Sequence, residues 1–292
     1  MRQPIVISLA LLAVSCATQQ TAPTPAATTT PAATSPASAA APCNPGLAIV
    51  NATLWMQSAA EYQAAAIGTY AAARRALDAA LADPAWHVEE GTSDPSQPPA
   101  VILDADETVI DNTAFEVRVI REGKTYDAAT WQRWVNESAA EAVPGAAQFL
   151  AYAKSRGVTP FYITNRDHPD EAAGTLRNLQ RLGFPVDANG DTLLLRGERP
   201  EWKTSDKAPR RAHVAASHRV LLLVGDDLND FTNARDKSVA ERDQLVGNRE
   251  SWWGTRWFMI PNPVYGSWER PYTSGVSDPC AQLQRKLEAL RP

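Results

Sequence analysis

The stretch Val101-Ile-Leu-Asp-Ala-Asp-Glu-Thr-Val-Ile110 places two carboxylates, Asp104 and Asp106, where a short apolar run gives out. Residues i and i+2 of a strand share a face. At the exit of such a strand both carboxylates can enter one crevice, the place where open α/β sheets bind their ligands. One can attack phosphorus while the other shuttles the proton. Like charges repel strongly in a partly desolvated site, so neither can approach a phosphate dianion without a cation between them. An oxygen-rich cluster suits a hard ion such as Mg²⁺. A calcium loop also alternates acids, but its sixth position would be Val109 instead of Gly and its twelfth Phe115 instead of Glu.

A second acidic cluster repeats the arrangement. The apolar run Arg219-Val-Leu-Leu-Leu-Val224 ends in Gly225-Asp-Asp-Leu-Asn-Asp-Phe231, which gathers Asp226, Asp227 and Asp230 at another strand exit. Between the clusters, Pro160-Phe-Tyr-Ile-Thr-Asn-Arg166 ends a strand in a hydroxyl and an amide, and Lys207 opens a cation-rich helical stretch. Acid, hydroxyl, lysine and acid at successive strand exits suit phosphoryl transfer.

Positioning them requires a sheet. Strand and helix signals alternate from Pro99: strands at Val101–Leu103, Phe161–Ile163, Thr192–Leu195 and Val220–Val224, and helices at Gly145–Ser155, Asp170–Leu182 and Ala208–Ala216. This pattern predicts an α/β fold, a Rossmann-like parallel sheet flanked by helices. Residues 111–138 interrupt it and read as a small cap insert. The Ala-rich stretch from Ala48 to Leu81 reads as one or two helices that pack on the sheet and close the rim.

In order and spacing the residues resemble the haloacid dehalogenase superfamily, and within it the class C bacterial acid phosphatases, the lipoprotein e (P4) group. Six ordered anchors carry the resemblance: Ile102-Leu-Asp-Ala-Asp-Glu-Thr-Val-Ile-Asp-Asn112, Trp131-Gln-Arg-Trp-Val135, Val143-Pro-Gly145, Ile163-Thr-Asn-Arg166, Val224-Gly-Asp-Asp-Leu-Asn-Asp-Phe231 and Asn262-Pro-Val-Tyr-Gly-Ser-Trp-Glu269. Asp227 stands where the family usually has Asn or Thr, and Phe115 where Tyr is common.

The resemblance implies a Mg²⁺-dependent acid phosphatase acting on small-molecule phosphate monoesters through an aspartyl-phosphate. Asp104 would be the nucleophile and Asp106 the acid/base. Asp104, the backbone carbonyl of Asp106, and Asp226 would hold the metal, with Asp230 in support behind them; Asp227 is either a second supporting acid or a solvated turn residue. Thr164 and Asn165, with the backbone N–H groups there, and Lys207 would bind the phosphoryl group. Lys207 fits the family's K-x-x-R better than Lys203 does, and Arg210 reads as structural. Counterparts of Trp131 and Tyr265 lie at the mouth of the site, where they could sandwich a base; nucleoside 5′-monophosphates, nicotinamide mononucleotide included, are the implied substrates. Two alternatives stay open. One is a phosphotransferase or phosphonatase of the same superfamily, the latter needing a Schiff-base lysine, for which Lys124 is the cap's candidate. The other is a non-catalytic surface binding lipoprotein.

The chain begins Met1-Arg2, runs through an apolar segment from Ile5 to Val14 and reaches Cys16. That segment is too short to span a bilayer and reads as a signal peptide, residues 1–15, ending at a lipobox. Cys16 would then carry a lipid anchoring the protein to the bacterial envelope, with the outer membrane expected; simple cleavage into the periplasm is the alternative. Residues 16–42, nearly all Ala, Thr, Pro, Ser and Gln, read as a disordered tether, and residues 43–292 as the phosphatase domain. Cys43 and Cys280 could pair in an exported compartment or remain two buried thiols. With 28 Lys and Arg against 33 Asp and Glu, no nucleic acid polymer is expected as a partner. A homo-oligomer is left open.

Overall fold

The computed structural model describes residues 43–88 and 94–292. The signal peptide, Cys16 and the tether lie outside the described residues. Residues Cys43–Pro292 form one compact unit.

The Ala-rich stretch folds as α1, Val50–Ser58, and α2, Ala60–Ala82. Along α2 the buried residues Tyr62, Ala66, Tyr70, Ala73, Leu77 and Ala80 recur every three or four positions, which lays one apolar stripe against the core. The chain then enters the sheet at β1, Pro99–Leu103. It leaves through a short pair, β2 at Ile110–Asp111 and β3 at Glu141–Ala142, which enclose α3, Thr113–Arg121, and α4, Ala128–Glu137. This is the insertion at the mouth of β1.

Regular alternation then resumes with α5, Ala146–Ser155, β4, Thr159–Asp167, α6, Ala172–Arg181, β5, Leu193–Arg196, α7, Ala208–Ala215, and β6, Arg219–Gly225. The C-terminal part adds α8, Val239–Gly247, β7, Trp257–Met259, α9, Arg270–Thr273, and α10, Pro279–Glu288. The five-stranded sheet is parallel, in the order β5-β4-β1-β6-β7. All seven residues of β6 are buried, as expected of a strand covered on both faces. α2 and α5 pack together on one side, with the rings of Tyr70 and Phe149 5.5 Å apart.

This order fixes the site. The chain moves outward from β1 through β4 to β5, then returns to β6 on the other side, so the sheet reverses direction around β1. Leu103 pairs with Tyr162 of β4 and Val224 of β6. The residues that follow Leu103, Tyr162 and Val224 therefore stand level and share one crevice, as at other topological switch points. A disulfide joins Cys43 to Cys280, 237 positions apart, and holds α10 to the start of the domain. No helix among the described residues is long and apolar enough to cross a membrane.

Candidate active site

A cleft of about 690 Å³ opens at these strand ends. Asp104 leaves β1 with its backbone N–H bonded to Val224 O at 3.0 Å. Lys207, just ahead of α7 and only 3% exposed, donates from Nζ to Asp104 Oδ1 and to Asp230 Oδ1, the latter at 2.6 Å. Asp226 follows β6. Its two oxygens accept from Thr108 Oγ1 at 3.1 Å and Asn262 Nδ2 at 2.9 Å. Gly225 permits this crowding, because a Cβ there would lie 2.3 Å from Asp230 Oδ2.

Asp104, Asp226 and Asp230 each present an oxygen within 4.8 Å of the others. Burial pushes the Asp104 carboxyl up to about 7; Lys207 pulls it down, while Asp230 and Asp106 push it up. Asp226 is held well above the usual carboxylate range by burial and by repulsion from Asp230 and Asp104. Of the three crowded acids, Lys207 pairs with Asp104 and Asp230 and leaves Asp226 without a cation among the described residues. A hard divalent cation fits this all-oxygen set and would supply the missing positive charge.

Asp106 also faces the cleft, but its carboxylate is turned toward β4. Oδ1 accepts from Arg166 Nη2 at 2.7 Å, Asn112 Nδ2 at 2.8 Å and Arg166 Nε at 3.0 Å. Among the described residues Oδ2 has two longer contacts, to Thr164 Oγ1 and Arg166 Nε, both at 3.3 Å. Asn112 is itself fixed by Trp134, whose indole N–H donates to Asn112 Oδ1 at 2.9 Å.

The surroundings of three residues refine their expected roles. Asp227 takes the turn role of the two left open: its carboxylate accepts from Asn229 N at 2.8 Å and from the backbone and hydroxyl of Ser267, while its own N–H donates to Asp230 Oδ2 at 3.0 Å. It closes a turn and ties the 266–267 loop to the sheet. The Asn165 side chain is held by the protein, accepting from Arg210 at 2.7 Å and donating one N–H to Ser205 O at 3.2 Å; its second N–H and its backbone are left for a phosphoryl group. Arg210 thus holds the end of β4. Asp230, expected behind the metal ligands, stands beside them. Thr164 is fully buried beneath the site. Trp131 and Tyr265 both line the cleft, and none of the four histidines does.

The sequence reading passed over several residues. Arg166 and Asn112 orient Asp106. Thr108 and Asn262 orient Asp226. Glu107 sits in the left-handed region at φ +52°, buried, accepting from the Asn112 backbone at 2.8 Å and from the Tyr265 hydroxyl. A non-glycine residue held there costs on the order of 1 kcal/mol or more. Its reward is a rigid link between the nucleophile loop and the aromatic rim. All five stand inside or beside the recognised motifs, and a polar residue at a strand exit is the signal that could have found them.

Comparison with known families settles the class. Residues 6–268 match the family model described as HAD superfamily, subfamily IIIB (acid phosphatase). The chain belongs to the subfamily IIIB acid phosphatases of the haloacid dehalogenase superfamily. The class C acid phosphatase from Bacillus anthracis is similar at 33% identity, over 86% of this chain and 99% of that one, with a TM-score of 0.75. The structure of that enzyme with tungstate bound gives the same values. This acid phosphatase is therefore a phosphoric monoester hydrolase with a small-molecule phosphate substrate, in a superfamily whose phosphatases generally use a divalent metal.

Farther along the cleft, Glu116 of α3 is only 8% exposed. Burial, and then repulsion from Glu269, push its carboxyl from 4.5 up to about 7. The folded acid phosphatase thus keeps a proton that the unfolded chain releases. This group's contribution to stability is full below about pH 4.5 and is lost as pH rises through about 7, a change of roughly 3 kcal/mol. Glu116→Gln removes the titration, so the variant should gain stability relative to wild type by about that amount between acid and mildly alkaline pH. Urea midpoints for both proteins at each pH check this; a constant difference contradicts it.

Proposed function

We propose that the acid phosphatase is Mg²⁺-dependent and hydrolyses nucleoside 5′-monophosphates among other monoesters, through a phosphorylated Asp104. The observation that carries this is the meeting of Asp104, Lys207, Asp226 and Asp230 at one strand exit. Asp104, Asp226 and Asp230, with the Asp106 backbone, are the groups that would hold Mg²⁺. Bound there, the ion supplies positive charge that lets a phosphate dianion approach the acids.

The chain's own groups do the rest. An Asp104 oxygen attacks phosphorus as the bond to the ester oxygen breaks, and Asp106 gives that leaving oxygen a proton. Water then attacks phosphorus, Asp106 takes the water's proton, and phosphate leaves with Asp104 restored. Oδ2 of Asp106 is the oxygen for this work, because Oδ1 is committed to Arg166 and Asn112. Lys207, with backbone N–H groups at the end of β4, steadies the phosphoryl oxygens. Tungstate, bound by the Bacillus anthracis relative, is an oxyanion of phosphate's shape, in keeping with a phosphate-binding enzyme. Turnover of 4-nitrophenyl phosphate with and without Mg²⁺ is the direct assay; no turnover in either condition sinks the proposal.

A Schiff-base phosphonatase is disfavoured. Lys124 is exposed and bonded to Glu122 at 2.8 Å, which holds its ammonium above the usual range, whereas a Schiff-base lysine needs a lowered one.

The nucleotide reading rests on the two cleft aromatics. Trp131 is braced edge-on by Phe115 at 5.1 Å, and Tyr265 is anchored through Glu107. Stacking on a base is worth about 1 to 3 kcal/mol per contact. Trp131→Ala or Tyr265→Ala should therefore lower kcat/KM for AMP about tenfold or more, with a much smaller loss on glycerol phosphate. Equal losses on both substrates would make these rings shapers of the cleft instead.

Export with anchoring through a lipid on Cys16 belongs to the same proposal, and the Cys43–Cys280 disulfide supports an oxidising compartment. Palmitate labelling should appear in wild type and vanish in Cys16→Ser; equal labelling of both, or none in wild type, contradicts the anchor.

A further inference from the structure

Glu116 lies on the wall of the cleft and is more than nine-tenths buried, and its carboxylate has no hydrogen bond or ion pair among the described residues. Its charged neighbour is a second acid, Glu269, which is paired with Lys286 of α10. Desolvating a carboxylate without a partner is costly, and a like charge beside it adds to the cost. Such a group is satisfied when a ligand brings the missing donor.

Its position says which part of the ligand that is. The reacting groups stand at the strand ends, whereas Glu116 belongs to the insertion, one residue after the Phe115 that braces Trp131. Glu269 belongs to the C-terminal segment that carries Tyr265, four residues earlier in the chain. The insertion thus presents Glu116 with the rings of Tyr126 and Trp131, and the C-terminal segment Glu269 with the ring of Tyr265, to the same cleft.

We infer that Glu116 is a specificity-determining residue that accepts a hydrogen bond from an N–H donor on the leaving group, so that the cleft selects monoesters whose ring carries an amide or amine and rejects those carrying an anion there. This inference rests on the nucleotide reading of the leaving group. A carboxamide or an exocyclic amine meets the acceptor that Glu116 leaves open. A carboxylate at the same place meets the unpaired acid of Glu116 and leaves it without a donor, a mismatch that specificity can exploit strongly.

Nicotinamide and nicotinic acid mononucleotides form the diagnostic pair, differing only in carboxamide against carboxylate. With the full folded enzyme and Mg²⁺ at about pH 8, where Glu116 is ionised, wild type should favour the amide in kcat/KM by about tenfold or more. Glu116→Gln should shrink that ratio at least about fivefold, and Glu269→Gln should shrink it less. The ratio is internal to each preparation, so partial misfolding of a variant does not alter it. If both mononucleotides are hydrolysed with a wild-type ratio near one, or with the same ratio in Glu116→Gln, the inference fails while the nucleotide reading stands. If neither is hydrolysed although glycerol phosphate is, the nucleotide reading itself fails and takes this inference with it.

Discussion

Asp104→Asn should bring turnover down by about 10⁴-fold or more, the order seen when the attacking group of a covalent mechanism is removed. An amide oxygen cannot take over the attack. The fold should survive the change, since an uncharged group at this position relieves repulsion from Asp230 and Asp106 and can still accept from Lys207. Thermal melts should show a protein at least as stable as wild type. Near-normal turnover, in protein purified from a phosphatase-deficient host, would overturn the assignment of Asp104. Asp106→Asn removes the proton shuttle and keeps the nucleophile, so its loss should be smaller, about 10²- to 10⁴-fold.

The second large effect concerns the metal. Chelation with EDTA should reduce activity to background, and added Mg²⁺ should restore it. The reason is electrostatic: three carboxylates with oxygens within 4.8 Å of one another, only two of them paired with the single lysine, have no means of admitting a phosphate dianion. Asp226→Ala should imitate chelation and resist rescue, because Asp226 is the acid of the three that Lys207 does not touch. Chelation should also lower the melting temperature of wild type, through loss of an ion that binds only the folded state. Full turnover after exhaustive metal removal would contradict this account.

Much of the fold was legible because its strands announce themselves. β1, β4 and β6 are short apolar runs that end in acids or hydroxyls, and the helices between them carry ordinary periodicity. The β5 signal was also clear. β7 and α8 to α10 were not read from the sequence. Trp257–Met259 is only three residues long and borrows its register from β6, and α8 has no buried residue to impose a period.

The site was legible where chemistry concentrates unusual residues in a row, as at Asp104 and Asp106 or Asp226 to Asp230. It was opaque where partners are assigned through space. Asp227 looked like one more acid near a metal, yet Ser267, forty positions on, claims it. Asn165 looked free until Arg210 and Ser205 were seen to hold it. Glu116 reads in sequence as an acid on an ordinary helix, and only the packing of α3 against α1 and residues 45–49 reveals that it is buried with its carboxylate unpaired among the described residues. Pairings of that kind depend on loop paths, and loop paths leave little trace in local periodicity.

The central claim is that phosphorus passes through Asp104 before it reaches water. The stereochemical course at phosphorus tests this without requiring the intermediate to accumulate. A phosphorothioate monoester made chiral with oxygen isotopes, hydrolysed in isotopically labelled water, reports the number of in-line displacements. Attack by Asp104 followed by attack of water makes two, and the account predicts net retention of configuration. Net inversion would mean a single direct attack by water and would contradict it.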